Sequence, residues 1–202
     1  MDVVETKQFE SRDEIMESLK EKRNLSGADM SGLDLSGLKF VALEMAGAAL
    51  HDTDLTGAGL AAGDMSDVNV ANANLTEARL GGANLKHATL RGANLHAAKM
   101  GGINLEEADL TGADLSESSM VGVGVAGADF TDGVTTDAHA AGVSWPDAKV
   151  QPEELPTAAK PPRWLPLVFV GMAVALFLTF RMVRRAVKGC NCTTEGVEES
   201  QV

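Results

Sequence analysis

The stretch Ala73-Asn74-Leu75-Thr76-Glu77-Ala78-Arg79-Leu80-Gly81-Gly82-Ala83-Asn84-Leu85-Lys86-His87-Ala88-Thr89-Leu90 puts an apolar residue at every fifth position. Toward the N-terminus the spacing continues through Val70, Met65, Leu60, Leu55, Leu50, Met45, Phe40, Leu35 and Met30 to Leu25. Toward the C-terminus it runs through Leu95, Met100, Leu105, Leu110, Leu115, Met120 and Val125 to Phe130. All 22 positions are apolar, without gap or insertion, in a chain that is 45% hydrophobic, so the regularity is a repeat and not chance. The residue two before each is usually small, as at Ala28, Ala58, Ala78, Ala98 and Ala113, and the residue between is commonly Asp or Asn.

A period of five fits neither a helix nor a flat strand. Two inward residues followed by outward ones imply a short extended segment and then a corner. Chained corners make a coil, and stacked coils pair their backbone groups with the coils above and below. At these residues the chain resembles the pentapeptide-repeat family, whose motif is A(D/N)LXX. The resemblance implies an all-β fold, a right-handed quadrilateral β-solenoid with four repeats per turn. The 22 repeats would then make about five and a half coils, a rod about 26 Å long. Its core would be built from positions such as Leu35, Leu55, Leu75, Leu95, Leu115, Phe40 and Phe130. Each buried Leu or Met contributes about 1.5–3 kcal/mol, so such a rod needs no disulfide.

Residues 1–24 form the expected N-terminal cap. Ser11-Arg12-Asp13-Glu14 matches a capping box, and Ile15 and Leu19 lie one turn apart, which predicts a short helix over 11–23. No charged segment followed by an apolar run marks a secretory leader. The solenoid is expected over 25–150, strict to 132 and degenerate beyond. There Ala138/Ala140, Val143/Trp145 and Ala148/Val150 form a closing coil, with Trp145 over the open end.

With four repeats per turn, residues 20 apart share a face. Three faces are acidic: the Leu35 face carries Asp34, Asp54, Glu77, Asp114 and Glu117 with no basic residue. The Phe40 face reverses the sign, since its only charges are Lys39, Arg79 and Lys99. It is also stripped of bulk, with Val41-Ala42, Ala61-Ala62, Gly81-Gly82, Gly101-Gly102 and Val121-Gly122 after its central residues. Lys39, Arg79, Lys99, Gly81, Gly82, Gly101 and Gly102 are the candidate interaction face, suited to an acidic protein or to anionic lipid headgroups.

Five of the six prolines lie between Pro146 and Pro162, and residues 151–163 read as an extended linker. From Trp164 to Phe180 there is no charge, and Thr179 is the only polar side chain. As a helix these residues span about 26 Å. Arg181 can snorkel and lengthen the span. Residues 164–188 are therefore expected to form a transmembrane helix with a basic flank, ending at Trp164 and at Phe180 and Arg181. The same residues would be the contact with membrane lipid. Residues 189–202 make a short acidic tail. Basic residues near the span favour an exported solenoid, whereas the missing leader favours tail-anchored insertion with a cytoplasmic solenoid. The second arrangement is the one expected.

The net charge of −12 argues against a nucleic-acid binder. His51, His87, His96 and His139 occupy unrelated repeat positions, and Cys190 and Cys192 have no further ligands nearby in sequence. No metal, cofactor, small-molecule substrate or catalytic set is expected. The reading that follows is a membrane-anchored, non-enzymatic, single-pass scaffold that binds an unknown protein on the solenoid. Two alternatives come from the resemblance: a secreted effector that inserts in a target membrane, and an acidic DNA mimic that binds a type II topoisomerase.

Overall fold

The computed structural model describes residues 7–21 and 23–158. Within them the chain winds as a four-sided solenoid. Four columns of parallel pairing run along it, each joining residues 20 apart: Asn24–Glu44–Asp64–Asn84–Asn104–Gly124, Asp29–Ala49–Asn69–Thr89–Asp109–Asp129, Asp34–Asp54–Asn74–Asn94–Asp114–Val134 and Lys39–Gly59–Arg79–Lys99. All 22 repeat positions are buried, none more than 3% exposed, and together they make one continuous core. The Ala positions two residues earlier are buried as well, which lets opposite walls of the coil approach each other.

The corners explain the rest of the motif. The amide two residues after each Asp or Asn donates to that side chain, as Thr56 N–H does to Asp54 Oδ1 at 2.9 Å and Thr76 N–H to Asn74 Oδ1 at 3.2 Å. A short side-chain acceptor that stands in for a backbone turn is the reason Asx residues suit this position. Most corners then close with an amide-to-carbonyl bond such as Ala78 N–H to the Leu75 carbonyl at 3.0 Å. The third turn residue has positive φ throughout, at Gly57, Gly82 and Gly112 and equally at Glu77, His87 and Glu117. That is the requirement of a type II turn.

At the N-terminal end, α1 (Arg12–Glu21) starts at Ser11, whose hydroxyl accepts from Glu14 N–H at 3.3 Å. The Glu14 carboxylate reaches back to Glu10 N–H at 3.2 Å, one residue before the cap. Ile15 is fully buried and Leu19 packs against the core. Ahead of the helix, Gln8 pairs with Asp29 as an extra rung that the sequence pattern does not announce.

At the other end, β1 (Lys99–Gly101), β2 (Ser119–Val121), β3 (His139–Ala141) and β4 (Thr157–Ala158) form a parallel sheet on the Phe40 face. Val150 was expected to point inward, but it is 36% exposed. The cause is a single-turn 3₁₀ segment, Trp145–Asp147, which adds one residue, so that Val150 pairs with the outward-facing Asp129, 21 residues earlier. Trp145 does cover the end: its ring meets Phe130 edge-on at 5.4 Å. Residues 151–158, at the start of the expected linker, continue the stack. Pro152 is buried, Thr135 Oγ1 donates to the Glu154 carbonyl, and Thr157 N–H donates to Ala138 at 3.0 Å.

Candidate interaction face

The 20-residue register brings Lys39, Arg79 and Lys99 into one column on the Phe40 face, with Gly59 between the first two. At ~4.8 Å per coil, Lys39 stands about 10 Å from Arg79, and Arg79 about 5 Å from Lys99. The column continues through Ser119, His139 and Thr157, with His139 Nδ1 2.8 Å from Thr157 Oγ1. Lys39, Arg79 and Lys99 are all exposed. Among the described residues, none of the three makes an ion pair or side-chain hydrogen bond.

Every other described Lys or Arg is engaged. Lys86 lies 2.9 Å from Glu106, Arg91 3.0 Å from Asp109, Lys149 3.1 Å from Asp129 and Lys20 2.5 Å from Glu17. Arg12 and Arg23 donate to the carbonyls of Ser36 and Val41, and Lys7 sits 4.2 Å over the Phe9 ring. The hydrogen bond to Glu106 raises the Lys86 pKa above its ordinary value. Aligned cations with no internal anion keep their full capacity for an external one.

The corner beside this column has no polar side chain in any of six successive coils. It reads Val41-Ala42, Ala61-Ala62, Gly81-Gly82, Gly101-Gly102, Val121-Gly122 and Ala141-Gly142. Gly82 and Gly102 hold the left-handed turn position, at φ +73° and +65°. Val41 and Val121 are 47% and 49% exposed, so a smooth apolar strip borders the cations. The other corners carry Asp67, Lys86, His87, Glu106, Glu107, Arg91, Glu77 and Glu117.

On the acidic faces Asp29, Asp34, Asp54, Asp64, Asp109, Asp114 and Asp129 each accept from the amide of their own turn. Asp29 and Asp34 are held below the usual range, first by the hydroxyls of Ser31 and Ser36 and then by the amides of the same residues. His87 stands between Asp67 and Glu107, with ring nitrogens 3.4 Å from each carboxylate. Among the described residues no group of three or more His, Cys, Asp or Glu side chains is arranged to hold a metal ion. No described helix is long and apolar enough to cross a membrane. Trp164, Phe180 and Arg181, the expected ends of a span, lie outside the described residues.

Four-sided coils of five-residue repeats define a class of β-solenoid. The family model "Pentapeptide repeats" matches eight copies over residues 24–58, 64–102 and 90–132, just over half the chain, and the protein belongs to the pentapeptide-repeat family. No curated protein matches it. Among solved structures it is similar to a pentapeptide-repeat protein (Rfr23) from the cyanobacterium Cyanothece 51142. The identity is 22%, over 64% of this chain and 96% of that one, with a TM-score of 0.47. It is also similar to a pentapeptide-repeat protein of the Arabidopsis thaliana thylakoid lumen, at 31% identity over 55% and 68% of the two chains, with a TM-score of 0.31. Full-length QnrB1, a plasmid-mediated fluoroquinolone resistance protein, matches at 14% identity over 74% and 89%, with a TM-score of 0.36.

Proposed function

We propose that this protein is a non-enzymatic scaffold, anchored in a membrane by residues 164–188, that docks an acidic protein surface on its Phe40 face. The observation that carries the docking is the column of Lys39, Arg79 and Lys99, which makes no ion pair among the described residues while Lys86, Arg91 and Lys149 on the other faces are all paired. Charged groups arranged this way steer encounter and set orientation. The bare corner beside them lets a partner's backbone come close. The same three cations weigh against the DNA-mimic alternative, which needs an acidic surface all round.

The anchoring rests on the sequence: 17 uncharged residues from Trp164 to Phe180, followed by Arg181, Arg184, Arg185 and Lys188. In the tail-anchored arrangement the solenoid faces the cytoplasm. The test is carbonate extraction with protease protection on the full chain and on one ending at Ala159. The full chain should stay with the membrane, its solenoid digested only after the cells are opened, and the shorter chain should be released. A full chain that extracts freely contradicts the anchor, and recovery from the medium would favour the secreted effector.

A further inference from the structure

The outermost coil of a solenoid exposes backbone groups that inner coils spend on their neighbours. Some of those at the N-terminal end are taken. Asp29 N–H and C=O bond to Lys7 and Phe9 at 2.9 Å each, and Arg12 and Arg23 cover the carbonyls of Ser36 and Val41. The equivalent pair on the Phe40 face is different. Gly59 uses the groups on either side of Lys39, through Leu38 C=O at 2.8 Å and Phe40 N–H at 2.6 Å. Lys39's own N–H and C=O have no partner among the described residues. Asn24 and Asp34 present similar unpaired pairs among the described residues, but the cleft beside Asn24 mixes Lys7, Ser18 and Ser26 with Phe9, Leu25 and Ala28, whereas the one beside Lys39 is walled mainly by large apolar side chains. This cleft, of about 380 Å³, lies between α1 and the first coil and is lined by Met16, Leu19, Leu38, Phe40 and Leu43 with Arg23 and Lys39. Met16 is 43% exposed at its mouth.

A bridge residue whose outer backbone groups have no partner among the described residues, an adjoining apolar cleft and a cation at the same position are components that strand-addition recognition uses. Main-chain pairing supplies affinity, and a pocket for one side chain supplies selectivity. Proteins usually blunt such edges. The far end of this column is blunted, with Pro156 directly before β4, whereas the Lys39 end carries no proline. We infer that the Lys39 edge accepts an extended peptide segment of a partner protein as an added strand. One large apolar side chain of that segment fills the Met16–Leu19–Leu38 cleft, and a flanking carboxylate pairs with Lys39 or Arg23. The inference rests on the scaffold reading above and specifies the partner's contacting chemistry.

The probe is a display library of random peptides of about a dozen residues, selected on the full chain in detergent. Selected peptides should carry a large apolar residue next to Asp or Glu. Met16→Glu, at an exposed position, should weaken their binding at least roughly tenfold. Lys39→Pro removes an N–H that no described residue uses, and should weaken binding well beyond Lys39→Gln, which removes only the charge. Failure to select such peptides, or equal binding by Met16→Glu and wild type, would overturn the inference. So would self-association of the chain that Met16→Glu abolishes, because the cleft would then belong to a second copy. Peptides that lose affinity on Arg79→Glu and Lys99→Glu but not on Met16→Glu would reject the cleft and leave the docking face standing.

Discussion

Asp129 accepts two hydrogen bonds from Thr131, from the amide at 3.0 Å and from the hydroxyl at 2.6 Å. With Lys149 as a third donor, these hold its carboxyl near a pKa of about 2, against an ordinary 3.8. Asp29, Asp34 and Asp64 are lowered by the same turn geometry. A depressed pKa adds stability that is fully present above the unfolded value and is lost as pH falls through the folded one. The melting temperature should therefore fall from about pH 4 toward pH 2. Asp129→Asn keeps the turn acceptor but has no proton to take up, so its circular-dichroism melts should show a shallower pH slope.

Ser118 is completely buried, and its hydroxyl has no hydrogen-bond partner among the described residues. The positions one coil to either side are Ala98 and Ala138. Ser118→Ala removes the unsatisfied group and restores the small residue of the motif. It should raise stability by about 1 kcal/mol, read as a higher denaturation midpoint. A lower midpoint would show that the hydroxyl is satisfied in solution.

Gly112 and Gly92 both hold the left-handed turn position, at φ +67° and +62°, but their surroundings differ. A Cβ at Gly112 meets nothing within 4 Å, whereas one at Gly92 lies 2.8 Å from Asn72 Oδ1. Gly112→Ala should cost about 1–2 kcal/mol, from backbone strain alone. Gly92→Ala should cost more, because Asn72 must move and so disturb its hydrogen bond to Asp52. Equal losses in thermal melts would place the cost in the backbone at both sites.

Reversing Lys39, Arg79 and Lys99 together to Glu should weaken partner recovery at least roughly tenfold. Reversing Lys86, Arg91 and Lys149 to Glu makes the same change in net charge on other faces. That triple variant should keep the partner, with only a small loss of stability from its broken surface pairs. Affinity purification from cross-linked cells compares the two. Equal losses would mean that overall charge, and not the column, governs association.

The solenoid was legible because each five-residue unit repeats one solution, so every Leu or Met from Leu25 to Phe130 votes for the same register. The alignment of Lys39, Arg79 and Lys99 followed from four repeats per turn. Whether a cation is paired was not legible, because pairing depends on the coil above: Lys86 finds Glu106 while Lys99 faces Ser119. The closing coil misled where a 3₁₀ turn at Trp145 changed the count by one residue and turned Val150 outward. The rung at Gln8 and the cleft between α1 and the first coil each occur once, and a unique contact leaves no period to read.

The docking face is tested most directly by site-specific photo-crosslinking in cells. A photoreactive side chain would replace Val41 or Val121 beside the cation column, or Val134 on the Leu35 face. All three valines are similarly exposed, at 47%, 49% and 47%, so the substitution itself is matched. The account predicts a discrete crosslinked partner from positions 41 and 121 and none from 134. Adducts from 134 alone, or equally from all three, would contradict it.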